Sequence, residues 1–315
     1  MLGYTYIYFL GGFNLENNVR KVFSRIGLAS AASIIVVYLA YNLLYLLFNI
    51  VAPSIVNSTW FIYTLNAVSF YLFGFGVLYL IVKNMPTFKN KVNKNFSIGE
   101  ICVIVIIAFA FMYISNFITV ILAQVISLIF GGGSNPLDSM IDTNNLFLTF
   151  IFVGLLAPIM EELMFRKIML DRLKGYGDVI SIIVTAVMFG LFHRNFYQFL
   201  YATAIGLILA YIALKSGSVK YSILLHVIIN TFGSVIAPLL TKMPIIGVAF
   251  LGLFLLGVII AGIILFCVFF KKIKLSPGMF NIKTGTLFNC AFLNVGMIIY
   301  IIICFILSVL VFFGI

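Results

Sequence analysis

LFLTFIFVGLLAPIMEELMFRKIMLDRLK, residues 146–174, opens with 15 uncharged, mostly apolar residues, then sets two carboxylates side by side at Glu161 and Glu162, and ends basic. A run of this kind is built for lipid. About 18 or more apolar residues in a helix cross a hydrocarbon core of ~30 Å. Outward from it the same texture repeats along the chain of 315 residues, which is 64% hydrophobic and 9% charged, with a mean hydropathy of +1.24. Soluble domains do not have that composition. Each apolar run must be a helix, because an isolated strand in lipid leaves its backbone N–H and C=O groups unpaired, and the alternating pattern of a membrane barrel is absent. The fold class is therefore all-α, a polytopic transmembrane bundle.

Apolar runs between charged or turn-rich breaks predict spans near 26–52, 60–82, 100–130, 146–166, 179–193, 196–214, 221–240, 245–270 and 286–314. The count is eight or nine, since the run at 179–192 is short for a crossing. Residues 179–214 then form either two crossings or a re-entrant hairpin turning at His193-Arg194-Asn195. The chain divides into an interfacial or cytoplasmic N-terminal segment (1–25), N-terminal transmembrane helices (26–130), a core that carries the polar residues (146–240) and C-terminal transmembrane helices (245–315). No internal repeat or soluble insertion interrupts it.

The net charge of +11 does not call for nucleic acid, because the basic residues lie in short loops on alternate sides. Of the 19 Lys and Arg, all but Arg194 and Lys242 fall on one side, and positive loops mark the cytoplasm. The N-terminus is expected inside and the C-terminus outside. The opposite face holds the loop GGGSNPLDSMIDTNN with Asp138 and Asp142. Cys102, Cys267, Cys290 and Cys304 lie in apolar runs without metal-binding spacing and are expected to be packing residues.

Ionisable groups inside a membrane cost at least ~2.5 kcal/mol each, so they mark function by default. Glu161 and Glu162 follow the apolar run directly, and Arg166 lies one helical turn beyond Glu162, where the two can pair. Glu161 is then left on a neighbouring face. The two histidines of the chain, His193 and His226, follow in the contexts FGLFH (189–193) and HVIIN (226–230), the second placing His226 and Asn230 on one helix face. Glu161 and His193 lie 13 and 16 residues either side of the turn 174–177, so at ~1.5 Å per residue an antiparallel pair brings them level. His226 fits this count less well. The bland readings are an interfacial helix end for the Glu pair, an interfacial His193, and a packing hydrogen bond for His226 and Asn230.

EExxxR (161–166), FxxxH (189–193) and HxxxN (226–230) on successive membrane helices together resemble the CPBP family, the CAAX-protease and bacteriocin-processing intramembrane proteases, also called Abi. The likeness covers about 146–235 and extends to Asn195, Gln198, Gly206 and Ser222. It departs at Arg194, where relatives often carry glycine. The resemblance implies an intramembrane endopeptidase in which Glu161 and His193 activate water and His226 and Asn230 hold the oxyanion, with Glu162, Arg166 and Asn195 in support. If a metal takes part, zinc or another divalent ion, the ligands would be Glu161, His193 and His226. The expectation is that none is obligatory.

The partners implied are membrane lipid and a peptide or membrane-anchored protein substrate. A composition rich in Ile, Asn, Lys and Phe suggests an AT-rich bacterial genome, hence a bacterial plasma membrane and a role in peptide maturation or bacteriocin self-immunity. The competing readings are a non-catalytic peptide-binding immunity or scaffold protein, and an ion-coupled transporter. Substrate, cleavage site, prenylation and oligomeric state are not written in the sequence.

Overall fold

The structure is a computed structural model that describes residues 15–89, 93–133 and 145–315. The expected interfacial segment before residue 15, the loop with Asp138 and Asp142, and Lys91 lie outside the described residues. The described chain is helical: α1 (Leu15–Val51), α2 (Thr59–Val82), α3 (Ile98–Phe130), α4 (Leu146–Tyr176), α5 (Asp178–Phe192), α6 (Phe196–Ser216), α7 (Lys220–Lys242), α8 (Ile245–Lys272), α9 (Thr284–Phe292) and α10 (Val295–Phe313). Eight of them are long and apolar enough to cross a membrane; α9, at 9 residues, and α5, at 15, are the short ones. α5 is about 22 Å long against a ~30 Å core. The turn joining it to α6 falls at His193-Arg194-Asn195, as expected.

Three boundaries differ from the hydropathy reading. α1 begins at Leu15 rather than 26, because Asn17, Asn18, Arg20 and Lys21 occupy helical turns that apolarity does not mark. α4 continues past 166 through its charged end to Tyr176. The expected last span, 286–314, is two helices. Asn294 breaks it: its Oδ1 accepts from Met297 N at 2.9 Å and caps α10, while its Nδ2 donates to Cys290 O and Ala291 O, both at 2.9 Å, closing α9. The cysteine expectation also needs correction. Cys290 and Cys304 are buried, but Cys102 and Cys267 are exposed on apolar helices.

The contacts divide the chain into two compact units. One comprises the described residues 15–89, Asp171–Tyr176 and Gly278–Ile303. Here α1 packs against α2, α9 and the start of α10 by close backbone approach. A Cβ at Gly27 would lie 2.4 Å from Gly296 C, and one at Gly296 would lie 1.8 Å from Ser24 O. Small residues at such crossings let membrane helices gain van der Waals contact that lipid cannot supply.

The second unit comprises 93–133 and 145–170, Gly177–Pro277 and Cys304–Ile315. Its centre is α6. Ile205, Leu209 and Ile212 of α6 pack on Ala108, Phe109 and Met112 of α3 and on Leu225 and Ile229 of α7. α3 starts at a capping box between Ser97 and Glu100 and meets α8 where a Cβ at Gly262 would lie 2.3 Å from Ala110 Cβ. α5 and α6 close like a hairpin. A Cβ on Gly190 would meet Thr203 Oγ1 at 2.0 Å, and one on Gly206 would meet Ala186 Cα at 3.0 Å.

Because the Gly296 site has backbone rather than a movable side chain opposite it, Gly296→Val forces the helices apart, at about 1–3 kcal/mol or more. The thermal unfolding midpoint of the detergent-solubilised protein should fall by several degrees, whereas the same change at Gly252, which has open space around it, should leave it unmoved.

Candidate active site

All the residues that the sequence singles out belong to the second unit, on α4, on the α5–α6 hairpin and on α7. α4 is not uniformly α-helical there. It is π-helical over Phe150–Leu156, α-helical over Ala157–Glu162 and π-helical again over Leu163–Leu170. The Glu pair thus sits at the end of one short α-helical stretch between two widened ones. Such π-segments offset the side chains beyond them and recur at functional sites.

Glu162 and Arg166 are both completely buried, with Arg166 Nε 3.2 Å from Glu162 Oε2. The guanidinium also donates from Nη2 to Gly206 O of α6 at 3.3 Å, and lies 4.7 Å from the ring centre of Phe189 and 5.8 Å from that of Phe165. The second oxygen of Glu162 accepts from His226 Nδ1 at 3.0 Å. A carboxylate held by Arg166 only accepts, so Nδ1 donates and Nε2 is the ring nitrogen turned away from Glu162. That nitrogen lies 3.6 Å from Glu161 Oε2. Glu161 is more open than its neighbour, its side chain 20% exposed, and its buried Oε2 makes no hydrogen bond.

His193 ends α5 and is tied back by Nδ1 to the carbonyl of Phe189 at 2.9 Å. A carbonyl cannot donate, so here too Nδ1 bears the proton and Nε2 is left as the basic atom. Phe189 organises both imidazoles. Its ring stands nearly perpendicular to His193 (4.9 Å between centres, 87°) and to His226 (5.6 Å, 85°).

Asn230 lies one turn beyond His226, its amide donating to Val153 O at 3.2 Å, within the first π-helical stretch of α4. Asn195 has a separate position. Its side chain caps α6 by accepting from Tyr197 N at 2.9 Å and faces Gln198 Oε1 at 3.4 Å, and Gln198 in turn donates to Tyr201 OH at 2.9 Å. The structure therefore brings Glu161, Glu162, Arg166 and His226 into direct contact, joins His193 to them through Phe189, sets Asn230 alongside, and places Asn195 as a helix cap. His226, whose depth the residue count left doubtful, meets Glu162 directly.

Two features were not visible in the sequence. One is the pair of π-helical stretches, for which residue type carries no signal. The other is the double role of Phe189. Arg194, where the family resemblance leads one to expect glycine, has φ +51°, the only positive φ among the described non-glycine residues. Glycine adopts that conformation without strain. Among the described residues no group of three or more His, Cys, Asp or Glu is arranged to hold a metal ion, the expected set Glu161, His193 and His226 included.

Residues 143–232, which hold all three motifs, match the family model described as type II CAAX prenyl endopeptidase Rce1-like. That match supports the likeness to the CPBP family over this stretch of the chain. A Bacillus subtilis relative, named "Putative membrane peptidase YdiL", is 26% identical over 160 residues, which is 50% of this chain and 64% of that protein. The chain thus covers a little under two thirds of that relative's length. No solved structure matches.

Since Arg166 neutralises a carboxylate with no exposed surface, Arg166→Met should destabilise the second unit by about 3–5 kcal/mol. Removing both charges, in Glu162→Gln with Arg166→Met, should recover part of that loss. Urea unfolding of the solubilised protein, comparing the single and double variants, reads the difference.

Proposed function

We propose that this chain is an intramembrane endopeptidase of CAAX-protease type, which hydrolyses a peptide bond in a membrane-associated peptide or protein without an obligatory metal. The observation that carries the reading is the inequality of two adjacent carboxylates. Glu162 is fully buried and held by Arg166 and His226 Nδ1, while Glu161, its side chain 20% exposed, faces His226 Nε2 at 3.6 Å. A carboxylate so placed, beside an imidazole, is equipped to take a proton from water.

In this mechanism Glu161 takes one proton from a water molecule that also donates a hydrogen bond to His193 Nε2, and the water oxygen attacks the peptide carbonyl carbon. The carbon becomes tetrahedral and the carbonyl π electrons move onto its oxygen as an oxyanion. It is held by the second N–H of the Asn230 amide, whose first already bonds Val153 O, and by His226 through Nε2–H when that nitrogen carries a proton. The proton received by Glu161 passes to the departing amine as the C–N bond breaks. Glu162 and Arg166 keep His226 in orientation, and Asn195 fixes the start of α6. The cell location proposed is a bacterial plasma membrane, N-terminus inside and C-terminus outside. The roles proposed are peptide maturation or bacteriocin self-immunity.

Glu161→Gln keeps size and shape but removes the base, and should slow cleavage by about 10²–10⁴-fold. Mass spectrometry of membrane-associated peptides from cells carrying the wild type or the variant should show a product lost in the variant. An identical peptide profile, with the variant protein folded and present, would mean that the pocket binds rather than cuts. Protein stripped of metal by chelation should retain full activity on the product-defining peptide, and loss restored by added zinc would overturn the metal-free mechanism.

A further inference from the structure

Away from the candidate active site, in the first unit, a cavity of about 310 Å³ is lined by Asn17, Asn18, Arg20, Lys21, Ser24 and Asn294, with Val295 at its edge. Its wall is one stripe of α1. Asn17, Arg20, Lys21 and Ser24 recur at helical spacing and so share a face. Arg20 is held in place, Nη1 donating to Leu293 O at 2.6 Å and the side chain also bonding Cys290, and a guanidinium with five N–H groups still has donors for another acceptor. Ser24 Oγ accepts from Gly296 N at 3.0 Å, so the hydroxyl keeps its own proton to donate. Asn294, by contrast, spends its amide on the ends of α9 and α10 and serves as structure. Two cations and a set of donors thus line a cavity at the positive end of α10, and among the described residues no carboxylate lines it.

The surroundings say which kind of anion suits it. Beyond Ser24 the stripe of α1 becomes apolar and open, with Leu28 and then Ile35 and Leu39 exposed. Val295, Ile298 and Ile302 of α10 are exposed too. A donor-rich cavity at the head of exposed apolar helix faces matches a molecule with a phosphate at one end and hydrocarbon at the other. We propose that this cavity binds the phosphate of an anionic glycerophospholipid, with its acyl chains lying along the exposed faces of α1 and α10. Basic side chains at a membrane surface attract anionic headgroups, and a zwitterionic headgroup would bring its ammonium against Lys21.

Native mass spectrometry of the full chain in detergent, titrated with phosphatidylglycerol, phosphatidylcholine or inorganic phosphate, tests this. Phosphatidylglycerol should be retained several-fold over phosphatidylcholine, and Lys21→Glu should reduce that retention about tenfold. The Lys21 change leaves the Arg20–Leu293 hydrogen bond in place, so the unfolding midpoint should not move, and Lys274→Glu elsewhere should retain lipid as the wild type does. Equal retention of the two lipids, equal loss in the Lys21 and Lys274 variants, or binding of inorganic phosphate as tight as that of phosphatidylglycerol would each overturn the proposal.

Discussion

A carboxylate with no exposed surface in a membrane helix must be neutralised within the protein, and the ion pair between Glu162 and Arg166 does this at zero exposure for both side chains. The rest of the site is arranged around that constraint. Arg166 cannot be left with one contact, so it also reaches the Gly206 carbonyl and lies over the ring of Phe189. The remaining oxygen of Glu162 needs a donor, and His226 supplies it. This fixes the protonated nitrogen of His226 and with it the nitrogen that faces Glu161. One buried charge thereby sets the orientation of an imidazole on a different helix, in the manner of an outer-shell orienting partner.

The same constraint explains the close packing of α5 and α6. Arg166 reaches a backbone carbonyl of α6 while its face is covered by Phe189 of α5, which requires the two helices to lie near each other at that level. Gly190 and Gly206 make this approach feasible, since a Cβ on either would collide with Thr203 or crowd Ala186. Phe189 is then caught between the guanidinium and both imidazoles. Replacing it with a smaller side chain would remove a packing surface from both rings, leaving His193 its bond to the residue 189 carbonyl and His226 its bond to Glu162. Orientation by packing and orientation by charge act on the same two rings.

The bundle and most of its spans were legible in the sequence because lipid imposes a length and an apolarity that composition records. The ion pair was legible for a similar reason: four residues separate Glu162 from Arg166, and little else can neutralise a carboxylate there. The start of α1 was not legible, since polar helical turns outside the apolar run look like loop. Nor was the break between α9 and α10, because one Asn among apolar residues barely changes hydropathy, yet its side chain makes three hydrogen bonds that end one helix and begin the next. Asn195 was placed among the supporting residues by motif, and its side chain caps α6. Motif position does not separate a residue that holds a helix from one that faces a substrate.

The π-helical stretches of α4 bear on the difference between Glu161 and Glu162. In a regular α-helix adjacent residues point about 100° apart, so two neighbouring glutamates already face different surroundings. Widening the turns before and after Ala157–Glu162 lets the helix place Glu162 inward against Arg166 and His226 while Asn230 reaches the carbonyl of Val153 in the upstream stretch. A π-turn leaves backbone carbonyls off the regular i→i−4 ladder, and such carbonyls need other donors when no water is near. Asn230 is one such donor. Its helix α7 also carries His226, so the irregularity of α4 and the position of the second histidine are linked through two hydrogen bonds one turn apart. Straightening α4 would break the alignment of both at once, which is a physical reason for a membrane helix to keep an irregular stretch beside its two buried acids.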